Sequence, residues 1–325
     1  RRRGAGVKRA ERPGGAGARA APGAAEAGAV PGGGFLPAAP MRSGDDLRLA
    51  TRILLSLNKL FPPPVHPFNL ANQGTMRYAD WQFERGHLTL EHYRPFLSPE
   101  EIMRGKTVLD IGSGAGGKTL YYATLGVKKI YGVDVVPHYE HEARAMAEEK
   151  NLSDRAEFLT ADATALPFPD DYFDVIIAND VMEHVAQPEA VLREAYRVLK
   201  PGGRFFTNFP PYYHPYGAHL SDVIGIPWVH AFFSEPVLIE AYRELVKDLP
   251  DADMRLRLRL GDPETNRTRI TYINRMTIKR FRRIVEESPF RIAHWRLVPL
   301  RSFLKPLAAV APEFFMKAVV CILEK

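Results

Sequence analysis

The ten residues Val108-Leu109-Asp110-Ile111-Gly112-Ser113-Gly114-Ala115-Gly116-Gly117 join a short apolar run to four glycines, just ahead of a helical stretch. Closely spaced glycines let a ligand approach the main chain where side chains would collide. The helix start beyond them adds free N–H groups and the positive end of a dipole. Gly112, Gly114 and Gly117 also fit the spacing G-x-G-x-x-G, so the turn alone leaves a dinucleotide open. Asp134 closes the next apolar run, 22 residues after Gly112. An acid there can accept both hydroxyls of a ribose in either class of ligand. Asp110 separates the classes, because a pyrophosphate arriving beside it would meet a like charge, whereas a cationic ligand without phosphate would be favoured.

A second group, Asp180-Val181-Met182-Glu183-His184, follows another apolar run. His184 could act as a general base, since an imidazole titrates near working pH. Asp180, Glu183 and His184 could instead ligate a hard divalent cation. The plainer reading is that Glu183 and His184 cap and orient the helix that follows. Farther on, Asn208-Phe209-Pro210-Pro211-Tyr212-Tyr213-His214 opens a long aromatic stretch that reaches Phe232-Phe233. Long loops in compact domains are usually functional, so this one is expected to cover the ligand and exclude water, with His214 as a second candidate base. Packing against the sheet edge or a partner subunit is the alternative. Cys321 lies in an apolar run and reads as a small core residue.

These groups need elements to position them. Apolar periodicity predicts strands over Thr107–Ile111, Lys129–Val133, Ala156–Thr160, Phe173–Ala178 and Gly203–Asn208, with two late strands at about Arg291–Val298 and Ala318–Leu323. Helices are expected near Leu47–Phe61, Met76–Leu97, Lys118–Leu125, His141–Lys150, Pro188–Leu199, Glu235–Lys247 and Thr277–Glu287. Lys200-Pro201-Gly202-Gly203 reads as a helix stop and turn. Alternating strands and helices imply a parallel sheet covered on both faces.

The stretches VLDIGSGAGG (108–117), YGVDVV (131–136), FLTADATALPFPDDYFDVIIANDVMEHV (158–185) and LREAYRVLKPGGRF (192–205) together resemble the class I S-adenosylmethionine (SAM) dependent methyltransferases. They are most similar to the methyltransferase type 11 group that includes ubiquinone- and menaquinone-biosynthesis enzymes. The resemblance covers about 100 continuous residues. It implies an α/β, Rossmann-like, seven-stranded sheet, mostly parallel with an antiparallel last strand and helices on both faces. It implies that Gly112, Ser113, Gly114 and Gly116 pass beneath the methionine and ribose of SAM, with Asp110 toward the amino-acid end. Asp134, beside Val135, would hold the ribose hydroxyls, and Asp162 with the Ala163 N–H would read the adenine. Asn179 would face the methyl-donor pocket. Methyl transfer to a small apolar or aromatic acceptor, leaving S-adenosylhomocysteine (SAH), is then the expected reaction. A silent SAM- or SAH-binding sensor or partner subunit, and an NAD-dependent oxidoreductase, are the alternatives. Asn208–Tyr212 invites comparison with the Asn-Pro-Pro-Tyr motif of amino-group nucleic-acid methyltransferases, but it follows the fifth strand instead of the fourth and carries Phe209 as an insertion.

Composition sets the outer bounds. Hydrophobic residues make up 46% of the 325, and charged residues 25%, as in an ordinary globular chain. Residues 1–40 hold seven Lys/Arg against two Asp/Glu, a net +5 of the total +6, so the body is near neutral and no nucleic-acid partner is expected. The cluster Lys279–Arg283 reads as a solvated helix face. Gly, Ala and Pro supply 27 of the first 40 residues, which predicts a disordered tail over 1–45. Met41 reads as the natural start, with the tail as upstream readthrough or appended sequence. Residues 46–325 are then one methyltransferase domain, with a helical cap (46–100) and a lid insertion (209–235). No integral membrane segment, no metal and no internal disulfide are expected, and a homodimer is allowed. With a single cysteine the chain reads as cytoplasmic.

Overall fold

A computed structural model describes residues 47–74, 76–261 and 269–325. The predicted tail over 1–45 lies outside the described residues. Seven strands form one sheet: β1 (Thr107–Ile111), β2 (Lys129–Asp134), β3 (Ala156–Thr160), β4 (Phe173–Asn179), β5 (Leu199–Phe209), β6 (Arg291–Pro299) and β7 (Met316–Glu324). Their order is β3-β2-β1-β4-β5-β7-β6. The first five run parallel, and β7 runs antiparallel to both β5 and β6. This is the α/β sheet that the sequence implies.

Alternation along the strands explains the two-sided core. Val108, Val175 and Ile177 point to one face, and Leu109, Ile176 and Ala178 to the other; both sets are buried. Such a strand needs helices on each side, which is why its sequence reads as a continuous apolar run. The helices Gly117–Ala123 and Pro137–Glu149 cover the first face, and Pro188–Val198 and Ile278–Glu286 cover the second. On the last of these, Phe281 and Ile284 turn inward and Arg282 stacks over Trp295, so the Lys279–Arg283 cluster is one face of an amphipathic helix.

Two predicted elements differ. The single helix expected over Met76–Leu97 is divided into Tyr78–Glu84 and Gly86–Leu90, followed by turns. Gly86 lies so close to Tyr121 that a Cβ would sit 2.5 Å from its ring atoms, which fixes the break. Pro95 prevents the helix from resuming. Lys200–Gly203, expected as a turn before the fifth strand, lies within β5 as a bulge. Pairing there steps from Phe173↔Leu199 to Val175↔Arg204, with Gly202 at φ +76°.

The stretch after β5 adds a third core. Ala218, Leu220, Ile224 and Val229 pack with Leu54 and with the helices Glu235–Val246 and Ala252–Leu260. The last helix was not visible as an amphipathic pattern, because it buries two arginines. Arg255 is fully buried, 3.0 Å from Asp222 and 2.9 Å from Asp251, and it also donates to the Asn69 side chain. Arg259 lies 3.8 Å from Asp222 and over the Tyr272 ring.

Candidate active site

The chain steps outward from β1 to β3 on one side and then returns to β4 on the other, so the sheet reverses direction between β1 and β4. In open α/β sheets ligands bind beyond the carboxyl ends of the strands at such a point. A cavity of about 900 Å³ lies there. Its floor comes from the strand ends: Gly112 and Gly114 after β1, Asp134–Val136 at and after β2, Ala161–Thr164 after β3, Asp180 and His184 after β4, and Asn208 on β5. The roof includes Tyr78, Trp81, Gln82 and His92 from the cap, with His219 and Tyr272 from beyond β5.

The glycine turn is held by the neighbouring strand, since the Gly112 and Ser113 N–H groups both donate to the Val133 carbonyl, at 2.8 and 3.0 Å. The glycines then do different work. A Cβ on Gly117 would lie 2.1 Å from the Ala79 carbonyl oxygen, so this residue lets the cap helix seat on the helix Gly117–Ala123. Gly114, at φ +54°, faces only side-chain ends, the Gln82 amide at 3.3 Å and Tyr78 Cε1 at 3.9 Å from a Cβ, and is the one whose bareness opens onto the cavity.

Asp134 accepts from the Gly114 N–H at 2.9 Å and from the Val136 N–H at 3.0 Å, which aims its carboxylate along the turn. Asp162 accepts from the backbone and the hydroxyl of Thr164, both at 2.8 Å, and lines the wall beside Ala163. Val135 lines it as well, whereas Ser113 and Gly116 lie beneath the turn and do not.

Asp110 does not reach the cavity. It is 1% exposed and accepts from the Thr119 hydroxyl on the helix below. Burial raises its pKa to about 6, partly opposed by the Lys118 charge and the Thr119 bond. The direct repulsion of a pyrophosphate expected from the sequence therefore has no contact to act through. Lys118, unremarked in the sequence, lines the cavity instead. Burial works against its ammonium, but the carboxylate of Asp110, with smaller contributions from Asp180 and Glu183, outweighs that and raises its pKa.

Asn179 is also displaced from its expected place. Its side-chain oxygen accepts from the Tyr93 hydroxyl and, at 2.7 Å, from Asn208, and its amide donates to Tyr122. Asn208, its register partner on β5, is the one that lines the cavity. The hydrogen-bonding capacity of Asn179 is spent inside the protein, between the cap and the sheet.

Beyond β4, Asn274 ties down the turn. Its side-chain amide donates to the carbonyls of Met182 and Val185, both at 2.7 Å. Neither Glu183 nor His184 caps the following helix, whose N-cap is Gln187. His184 Nδ1 is 2.8 Å from the Tyr272 carbonyl, to which it must donate, so the proton sits on Nδ1 and Nε2 keeps its lone pair. Burial, partly opposed by that bond, lowers its pKa to about 4, which keeps the ring neutral at physiological pH. Glu183 is 3% exposed and neither carboxylate oxygen has a hydrogen-bond partner. Burial, with the nearby Asp180 charge, raises its pKa well above the ordinary range. The ring of His219 meets His184 edge-on, 4.8 Å between centroids. His214 lies outside the cavity wall, with its Nδ1 accepting from the Tyr216 N–H at 3.2 Å. Of residues 209–235 only His219 lines the cavity, because the aromatic insertion is mostly occupied with its own core.

Comparison with known proteins agrees with the resemblance drawn from the motifs. Residues 109–207 match the methyltransferase domain family. An uncharacterized methyltransferase of Mycolicibacterium vanbaalenii is 38% identical over 119 residues, 37% of this chain and 45% of that protein. The sterol 24-C-methyltransferase of Pneumocystis carinii is 35% identical over 130 residues, 40% and 34% of the two chains. A protein described as "probable tocopherol O-methyltransferase, chloroplastic" from Oryza sativa subsp. japonica is 35% identical over 99 residues, 30% and 27%. The aligned regions thus span less than half the length of these relatives. Among the described residues, no helix is long and apolar enough to cross a membrane.

Proposed function

We propose, for a chain whose residues 109–207 are a methyltransferase domain of this family, that it transfers a methyl group from SAM to a small, largely apolar acceptor. The observation that carries the reading is the line of strand-end groups from Gly114 through Asp134 to Asp162, all on one cavity wall. Two buried polar atoms in the roof, Trp81 Nε1 and Gln82 Oε1, have no partner within the protein and suit a polar ligand beneath them.

In this reading Asp134 accepts the ribose hydroxyls, while Asp162 and the Ala163 N–H read the adenine. Gly112 and Gly114 let the donor lie against the main chain, and Val135 borders the same wall. When bound, SAM supplies an electrophilic methyl on a cationic sulfur. The chain's own work is to align the acceptor and to keep water out. The cap residues Tyr78, Trp81 and Leu88 form the apolar boundary. His184, neutral and with Nε2 unprotonated, is positioned to receive a proton from an acceptor hydroxyl or acidic carbon, a role that His214 cannot share from its place outside the wall. The sterol and tocopherol named for two relatives support an apolar acceptor. A sensor that binds SAH without turnover is the second reading, favoured only if no acceptor is consumed.

Calorimetric titration of the full chain with SAH tests this, with NAD as the control. Micromolar binding is expected. Asp134→Ala should weaken it by about 100-fold, since two hydrogen bonds to a charged group are lost at ~1.5 kcal/mol or more each. Binding of NAD in preference to SAH, or a folded chain that binds neither, overturns the reading.

A further inference from the structure

We propose that Glu183, His184 and His219 form a site for a divalent transition-metal ion at the acceptor end of the cavity. One ligand atom from each of these side chains can be chosen so that all three lie within 4.8 Å of one another. Glu183 is the first observation that points to a ligand. Its side chain is 4% exposed, yet both oxygens lack a hydrogen-bond partner, an arrangement proteins rarely leave uncompensated. His184 Nε2, 3.7 Å from Glu183 Oε1, is too far for a hydrogen bond, and no lysine or arginine among the described residues pairs with this carboxylate.

The second observation is the way the imidazoles are presented. His184 donates Nδ1–H to the Tyr272 carbonyl. That is the outer contact characteristic of a metal-binding histidine, because it fixes the ring and the tautomer and leaves Nε2 free to bind an ion, in place of the proton-accepting role that the same atom would have in the metal-free chain. His219 comes from the insertion, 35 residues later in the chain, and holds a left-handed backbone at φ +53°. That conformation brings its ring edge-on to His184. Asp180, named from the sequence as a candidate ligand, is exposed and is not one of the three clustered residues.

Two imidazoles and one carboxylate suit zinc, manganese or ferrous iron, whereas magnesium and calcium prefer all-oxygen shells. His184 and His219 both line the cavity, so the remaining coordination positions open into it. An oxygen of the acceptor could complete the shell. That last clause rests on the methyltransferase reading; the ion site does not.

Cobalt chloride is the probe, titrated into the full chain after treatment with EDTA and followed by visible absorption and by metal content. One equivalent with ligand-field bands, displaced by zinc chloride, is expected. His219→Ala and the nearly isosteric Glu183→Gln should each weaken cobalt binding beyond the ~10–100-fold typical of losing an outer-shell partner. Asp180→Asn, which removes a nearby charge but no ligand, should weaken it less than either of those variants. Substoichiometric cobalt, or equal binding by folded wild type and both variants, overturns the site. SAH titrated into the same samples separates the two proposals. SAH bound without cobalt removes the metal site and leaves the donor reading; cobalt bound without SAH does the reverse.

Discussion

The two walls of the cavity are held in place by different forces. On the side proposed for the donor, Gly112, Gly114, Asp134 and Asp162 are fixed by hydrogen bonds to or from main-chain groups, each within or between short neighbouring segments. On the side proposed for the acceptor, Tyr272 and the insertion that carries His219 lie against buried charge. Arg255 joins Asp222 of the insertion, Asp251 and Asn69, 186 residues away, while Arg259 lies against Tyr272. The donor wall is a local solution that a motif can encode. The acceptor wall is a long-range one, assembled from parts with no common pattern.

The sharpest way to break the comparison is Arg255→Met. Removing the cation leaves the buried Asp222 with the Tyr242 hydroxyl and the more distant Arg259 as its partners, at a cost of about 3–5 kcal/mol. Urea denaturation should show that loss, and a change under 1 kcal/mol would mean that charge does not hold the acceptor wall. Asp110→Asn should act next, through the pH dependence of stability. Because folding raises this carboxyl from 3.8 to about 6, the folded state holds its proton more tightly. Stability from this group is full below pH 4 and is lost as pH rises through 6, by roughly 2–3 kcal/mol. The variant should therefore gain on the wild type between pH 4 and 7 in parallel urea titrations; parallel curves would refute the burial argument. The smallest contrast lies within the glycine turn. Gly117→Ala should cost about 1–3 kcal/mol of stability by overpacking against the Ala79 carbonyl. Gly114→Ala should cost about 1 kcal/mol through its left-handed φ and in addition weaken SAH binding, which Gly117→Ala should not; equal effects of the two variants on SAH binding would remove the distinction between these glycines.

The same contrast explains what could be read in the sequence. Strands β1 to β4 were legible to within about one residue, because strands buried on both faces read as unbroken apolar runs between glycines and polar turns. Asp134, Asp162 and the glycines were legible because they sit at strand ends, where the topology gives position a meaning. Asp110 and Asn179 were named from the same motif but turn away from the cavity, since a strand shows which residues alternate and not which neighbour will satisfy them. Lys118 carried no signal beyond its charge. His219 and Tyr272 could not be found by spacing, because the insertion and the segment after the helix Ala252–Leu260 meet His184 only in three dimensions. The break at Gly86 was equally hidden, as it depends on the ring of Tyr121.

The bond between Tyr93 and the asparagine pair sets how the cavity can breathe. Tyr93 is fully buried, its hydroxyl donates to Asn179 and accepts from Asn208, and its ring meets Phe206 edge-on. Raising that corner of the cap would strand three polar groups in an apolar setting. The cap is therefore pinned at Tyr93, and lifting that corner is among the costliest motions open to it.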